Sequence, residues 1–77
     1  MNRARRNEIK DVIDQLKYAI EQLELIASDE QDSFDNLPGS FQEGERGDQM
    51  QENVNDLESS SEAIGTVVCW LTDIVNR

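Results

Sequence analysis

A chain of 77 residues with 17 Asp/Glu against 7 Lys/Arg, a formal charge of −10, has room for one domain (residues 1–77). That charge disfavours broad nucleic-acid or anionic-membrane binding. The absence of His and a lone Cys69 exclude an internal disulfide, most zinc sites and the usual general base.

The charge is divided by position: residues 21–62 sum to −12, residues 1–20 to +2, and the remainder to zero. At this size one core is only marginally stabilising, so a second copy is the expected staple. Cys69, among Val67, Val68, Trp70 and Leu71, reads as a small buried hydrophobe. No apolar stretch follows the N-terminal arginines and no run approaches the ~20 residues of a membrane span. The expectation is therefore no signal peptide, no membrane, and a reduced cytoplasmic setting.

The first predicted helix covers about residues 3–35, roughly 50 Å at 1.5 Å per residue. Ile9, Ile13, Leu16, Ile20, Leu23, Ala27, Glu30 and Phe34 step 4-3-4-3-4-3-4, a heptad seam with one polar exception. Val12, Ala19 and Ile26 run beside it and widen the stripe beyond what a two-stranded seam requires. Asn2 is the expected N-cap.

Residues 36–46 form the predicted connection. Asn36-Leu37-Pro38-Gly39-Ser40 signals a chain reversal, and Gly44 and Gly47 stop a helix from running through. Phe34, Leu37 and Phe41 are expected to plug the end of the seam.

The second predicted helix covers about residues 47–76. Met50, Val54, Leu57, Ser61, Ile64, Val68, Leu71 and Val75 repeat the same steps, and Ala63, Val67, Trp70 and Ile74 form a parallel row in its second half. Gly65 inside this helix suggests either close approach of another helix or simple tolerance. Glu30 and Ser61 interrupt the two seams, either setting register or marking fraying toward the turn; fraying is the reading adopted.

These elements define an all-α fold: an antiparallel two-helix hairpin, coiled-coil-like, with an acidic tip and a basic, apolar base. The seams zip the hairpin, leaving Val12, Ala19, Ala63, Val67, Trp70 and Ile74 for self-association. Uncovered, they form a larger apolar patch than a small monomer usually shows. A homodimer, giving a four-helix bundle, or a higher homo-oligomer covers them; the competing reading folds Trp70 over its own hairpin.

Two clusters carry possible recognition chemistry. Arg3, Arg5 and Arg6, with Tyr18 or Trp70 from a neighbouring subunit, suit an anion or nucleotide. The plainer reading pairs the arginines with Glu8, Asp73 and the negative end of helix 2. Asp29, Asp32, Asp35, Glu43, Glu45, Asp48 and Glu52, with Glu30 among them, gather at the tip. Carboxylates on rigid helices imitate the charge spacing of a nucleic-acid backbone and suit a basic protein surface, although a merely solvated face is the plainer reading.

Catalysis finds no support. Ser59-Ser60-Ser61 and Cys69 lack a base of the usual kind, and Gly39, Gly44 and Gly47 match no phosphate-cradling loop. Calcium-loop spacing fails from both Asp29 and Asp32, and a di-iron bundle needs His. No catalytic residue, metal or cofactor is expected.

Met1-Asn2-Arg3-Ala4-Arg5-Arg6 with Ile9, Asp35-Asn36-Leu37-Pro38 with Ser40 and Gln42, Glu45-Arg46-Gly47, and Glu52-Asn53 with Leu57 carry a resemblance. Through most of residues 1–58 the chain resembles small helical-hairpin proteins of phages and prophages of gut Firmicutes. Its tail, Gly65-Thr66-Val67-Val68-Cys69-Trp70, departs from their Leu/Glu-rich pattern.

The resemblance implies a mobile-element protein in the bacterial host cytoplasm that acts stoichiometrically and is not an enzyme. The leading expectation is an anti-defence or host-takeover protein that blocks a host protein with a basic surface. The alternatives are an oligomeric sponge for a signalling (cyclic) nucleotide and a purely structural helical oligomer.

Overall fold

The computed structural model describes residues 1–77 and is all-helical, an extended pair of long helices measuring 59 × 14 × 12 Å. Helix α1 spans Arg3–Asp35, the single turn α2 spans Gly39–Gln42, and α3 spans Glu45–Val75. At the start of α1, Asn2 Oδ1 accepts a hydrogen bond from the Arg5 backbone N–H at 2.8 Å, satisfying a donor that has no partner within the helix.

The two long helices run antiparallel, and three cross-helix hydrogen bonds fix their register. Asn53 Nδ2 donates to Glu30 Oε2 at 2.8 Å, Gln51 Nε2 to Gln31 Oε1 at 3.4 Å, and Arg6 Nη2 to the Arg77 carbonyl oxygen at 3.4 Å. Residues abreast therefore have numbers adding to about 83, as 30 with 53 and 6 with 77 do.

Every residue of the two predicted seams is buried or half-buried, because both heptad rows face each other across this register. The deepest apolar positions are Ile13, Ala27 and Val54, and no large side chain is fully enclosed. One layer of contact between two helices protects little apolar surface from water, which leaves the pair thinly stabilised on its own.

The reversal is more structured than its glycines suggest. After α1, Pro38 opens α2, and the Gln42 side chain turns back to donate to the carbonyl oxygens of Phe34 (3.1 Å) and Asp35 (3.4 Å). Those carbonyls lie in the last turn of α1, where no intrahelical donor remains. Helix α3 then begins at Glu45, two residues before the expected position. Gly44 is its N-cap, and Glu45 and Asp48 in the first turn suit the positive end of the helix dipole. Gly47 is therefore not a breaker: it lies buried inside α3, where the Gln42 backbone passes so close that a Cβ would collide with it.

Other expectations change in detail. Phe34 and Leu37 are half-buried and close the seam, but Phe41 is 54% exposed because α2 turns it outward. Glu30 does not mark fraying, since α1 continues to Asp35 and Glu30 holds Asn53 across the pair. Cys69 is exposed, because it follows the seam residue Val68 by one position and that rotation carries it off the interface.

Two substitutions should raise stability. A Cβ at Gly65 meets nothing within 4 Å, so close approach by α1 does not explain this glycine. Gly65→Ala should stabilise by about 1 kcal/mol through helix propensity. Ser61 is buried with its Oγ unpartnered. An orphaned buried hydroxyl costs about 1–3 kcal/mol, so Ser61→Ala should be neutral to about 1 kcal/mol stabilising. Urea denaturation of each variant beside the parent chain measures both.

Candidate functional site

The antiparallel pair has two unlike flanks. On the first, two shallow depressions are lined by Ile20, Glu24, Ala27, Ser28 and Gln31 of α1 and by Glu58, Ser61, Glu62 and Gly65 of α3, among others. This flank is polar and dominated by carboxylates. No group of three or more His, Cys, Asp or Glu side chains on the chain is placed to hold a metal ion.

The second flank is apolar toward the base. A depression of about 370 Å³ there is lined by Met1, Arg5, Glu8, Ile9 and Val12 with Leu71 across the seam. Further along the same flank, Glu30, Asn53, Asp56, Leu57 and Ser60 line a polar depression. The heptad positions that border these depressions continue through Val12, Ala19 and Ile26 on α1 and Ala63, Val67, Trp70 and Ile74 on α3.

The structure leaves most of this row open. Val12 is 44% exposed, Ile26 52%, Val67 37% and Trp70 62%; Ala63 is exposed, and Ala19 and Ile74 are half-buried. Trp70 does not fold over its own helix pair to hide the row. Ile26 extends this exposed row, in line with the sevenfold spacing 12-19-26.

Charge follows the same division. Along the helices, the charged side chains bordering the apolar flank are Arg5 and Arg46 against Glu8, Asp29 and Asp56, a balance of −1. Of the net charge of −10, −9 therefore lies on the remaining surface.

The three N-terminal arginines do not converge. Arg6 enters the seam, half-buried, with one guanidinium nitrogen on the Arg77 carbonyl oxygen and Nε buried without a partner. Arg5 borders the apolar flank, and Arg3, two positions earlier, points elsewhere around the helix. Tyr18, 63% exposed, lies thirteen residues from Arg5, about 20 Å along the helix. Trp70 shares Arg5's flank. A site using Arg3, Arg5, Arg6, Tyr18 and Trp70 together is not assembled by one chain.

Asp29, Asp32, Asp35, Glu43, Glu45, Asp48 and Glu52 are all exposed around the end where the chain reverses. They encircle that end, since heptad position sends Asp29 toward the apolar flank, Asp35 and Asp48 toward the polar one, and Glu45 and Glu52 outward, while Asp32 lines a depression of the polar flank. Gln31 Nε2 donates to Asp35 Oδ1 at 3.0 Å, holding one of them along α1. Glu30 alone is half-buried, engaged with Asn53.

No helix is long and apolar enough to cross a membrane. No protein family, curated protein or solved structure matches this chain.

Proposed function

We propose that this chain is a helical hairpin that self-associates through its apolar flank and acts stoichiometrically, by binding and not by catalysis. Its acidic end docks on a basic surface of another protein and blocks it, the action expected of a phage or prophage accessory protein in a bacterial cytoplasm. The observation that supports this reading most is the separation of two exposed surfaces. Val12, Val67 and Trp70 are exposed on one flank, and seven exposed carboxylates crowd the far end.

Clustered carboxylates on a helical scaffold repel one another, and a basic partner relieves that repulsion while releasing counterions. Affinity for such a partner should fall steeply with added salt. Reversal of Asp32, Asp35, Glu45 and Asp48 to Lys should weaken partner capture at least about 100-fold, the order expected when several interfacial charges change sign. Binding measured before and after that change, on a partner recovered from a bacterial host extract, tests the proposal. Unaltered affinity would refute the acidic-end reading.

A second reading rests on Arg5 beside the apolar depression of Met1, Ile9, Val12 and Leu71. There a planar, anionic ligand such as a signalling nucleotide finds both an apolar wall and a guanidinium. Calorimetry with a panel of cyclic nucleotides should show micromolar binding weakened by Arg5→Ala; absence of heat with every one removes this reading.

A further inference from the structure

We infer that the apolar flank is the interface of a two-fold dimer in which two hairpins overlap at their bases, run antiparallel, and hold their acidic ends at opposite extremes. This deepens the self-association reading above and rests on it.

The occupant is a second copy because of where the charge lies. Two chains of −10 repel wherever they meet, and least on a surface whose own charges nearly cancel. The flank bearing Val12, Ile26, Val67 and Trp70 comes nearest to that, since the overlapped stretch of its helices carries Arg5 against Glu8, Asp29 and Asp56, −2 of the chain's −10. The covered strip is also large enough: roughly 50 Å of a pair 14 Å wide gives about 700 Å² per copy, close to the ~800 Å² per partner of standard interfaces.

The arrangement follows from the order of charges along the flank. Arg5 lies almost abreast of Arg77 at the base, and Asp29 almost abreast of Asp56, about 24 residues or ~36 Å further on. A two-fold axis along the helices would set Arg5 of one copy against Arg77 of the other, and Asp29 against Asp56. Like would meet like at both ends. A two-fold axis across the helices stacks α1 on α1 and α3 on α3 in opposite directions. Arg5 then meets Asp29, twice by symmetry, and Arg77, just past the end of α3, comes level with Asp56.

Shape gives the same centre independently. On α3 the large Trp70 needs a small opposite number, and Ala63 supplies it. The pairs Trp70 with Ala63 and Arg77 with Asp56 share one midpoint, between Thr66 and Val67. Arg5 with Asp29 has its midpoint at Lys17. Numbers 17 and 66–67 add to about 83, so the observed register places these two centres abreast. One axis therefore serves both helices. Around it Val67 lies beside its own copy, and Ala19 lets the α1 helices approach near Val12.

A spin label at Asp35→Cys in a Cys69→Ser chain reads the arrangement directly. In the antiparallel dimer the two labelled positions lie eighteen residues either side of the axis, about 54 Å apart along the helices. A distance distribution centred near 50–60 Å is the expected result. One centred below about 30 Å puts the acidic ends together and overturns the arrangement while leaving a dimer. A light-scattering mass equal to one chain, with no dipolar signal, overturns the self-association reading on which it rests.

Charge exchange provides a second test. Arg5→Asp should raise the dimer dissociation constant about tenfold, and adding Asp29→Arg should restore it to within about threefold. Failure of the second change to restore association contradicts the pairing.

Discussion

Replacing Gly47 with alanine should cost about 2–3 kcal/mol, the largest loss expected from any single methyl group added to this chain. The new Cβ would meet the Gln42 backbone, with the carbonyl carbon at 2.6 Å and Cα at 2.8 Å. Backbone cannot swing aside as a side-chain end does. Either α3 must tilt or α2 must lift, and lifting α2 withdraws the Gln42 amide from the Phe34 and Asp35 carbonyls. Alanine at Gly65, by contrast, meets nothing. The two Gly→Ala variants should therefore move a thermal midpoint in opposite directions, although helix propensity favours alanine at both.

Charging the apolar flank should have the larger effect on assembly. Val67→Glu with Trp70→Glu places two carboxylates on each copy near the proposed axis, removes the largest exposed aromatic, and makes the flank strongly negative. The dimer dissociation constant should rise by at least about 1,000-fold, since a buried aromatic anchor alone contributes about 2 kcal/mol or more. The melting temperature should also fall and cease to depend on protein concentration. An unchanged mass for this variant would mean that copies associate through another surface.

The heptad seams were legible because both helices bury one stripe against one partner, so a strict 4-3 spacing mapped directly onto the protected residues. The surplus row was legible for the same reason: Val12, Val67 and Trp70 had no place in a two-stranded seam, and the structure leaves them exposed. The reversal was harder. Gly44 and Gly47 read as interruptions, whereas Gly47 is a helical residue that makes room for another backbone, and nothing local in a sequence distinguishes the two uses. The single turn of α2 is too short to show a period.

Cross-helix polar pairing was illegible for a different reason. Glu30 looked like an error in the seam because its partner, Asn53, lies 23 residues away and is reached only once the register is known. Cys69 misled through its neighbours, since Val68 and Trp70 are apolar for separate reasons, one facing α1 and one facing out. The weak charge of the apolar flank was hidden in the same way. Net charge counted along the chain gave a gradient, while charge counted around the helices separates a nearly balanced flank from a strongly acidic remainder.

Light scattering of the unmodified chain across protein concentration and salt tests the central claim most directly. The account predicts a mass twice the 8.8 kDa of one chain at micromolar concentration. Added salt should leave that mass in place, because screening weakens the Arg–Asp pairs and the repulsion between two chains of −10 together, while burial of the apolar flank is not screened. A mass of 8.8 kDa at every concentration and salt would contradict it.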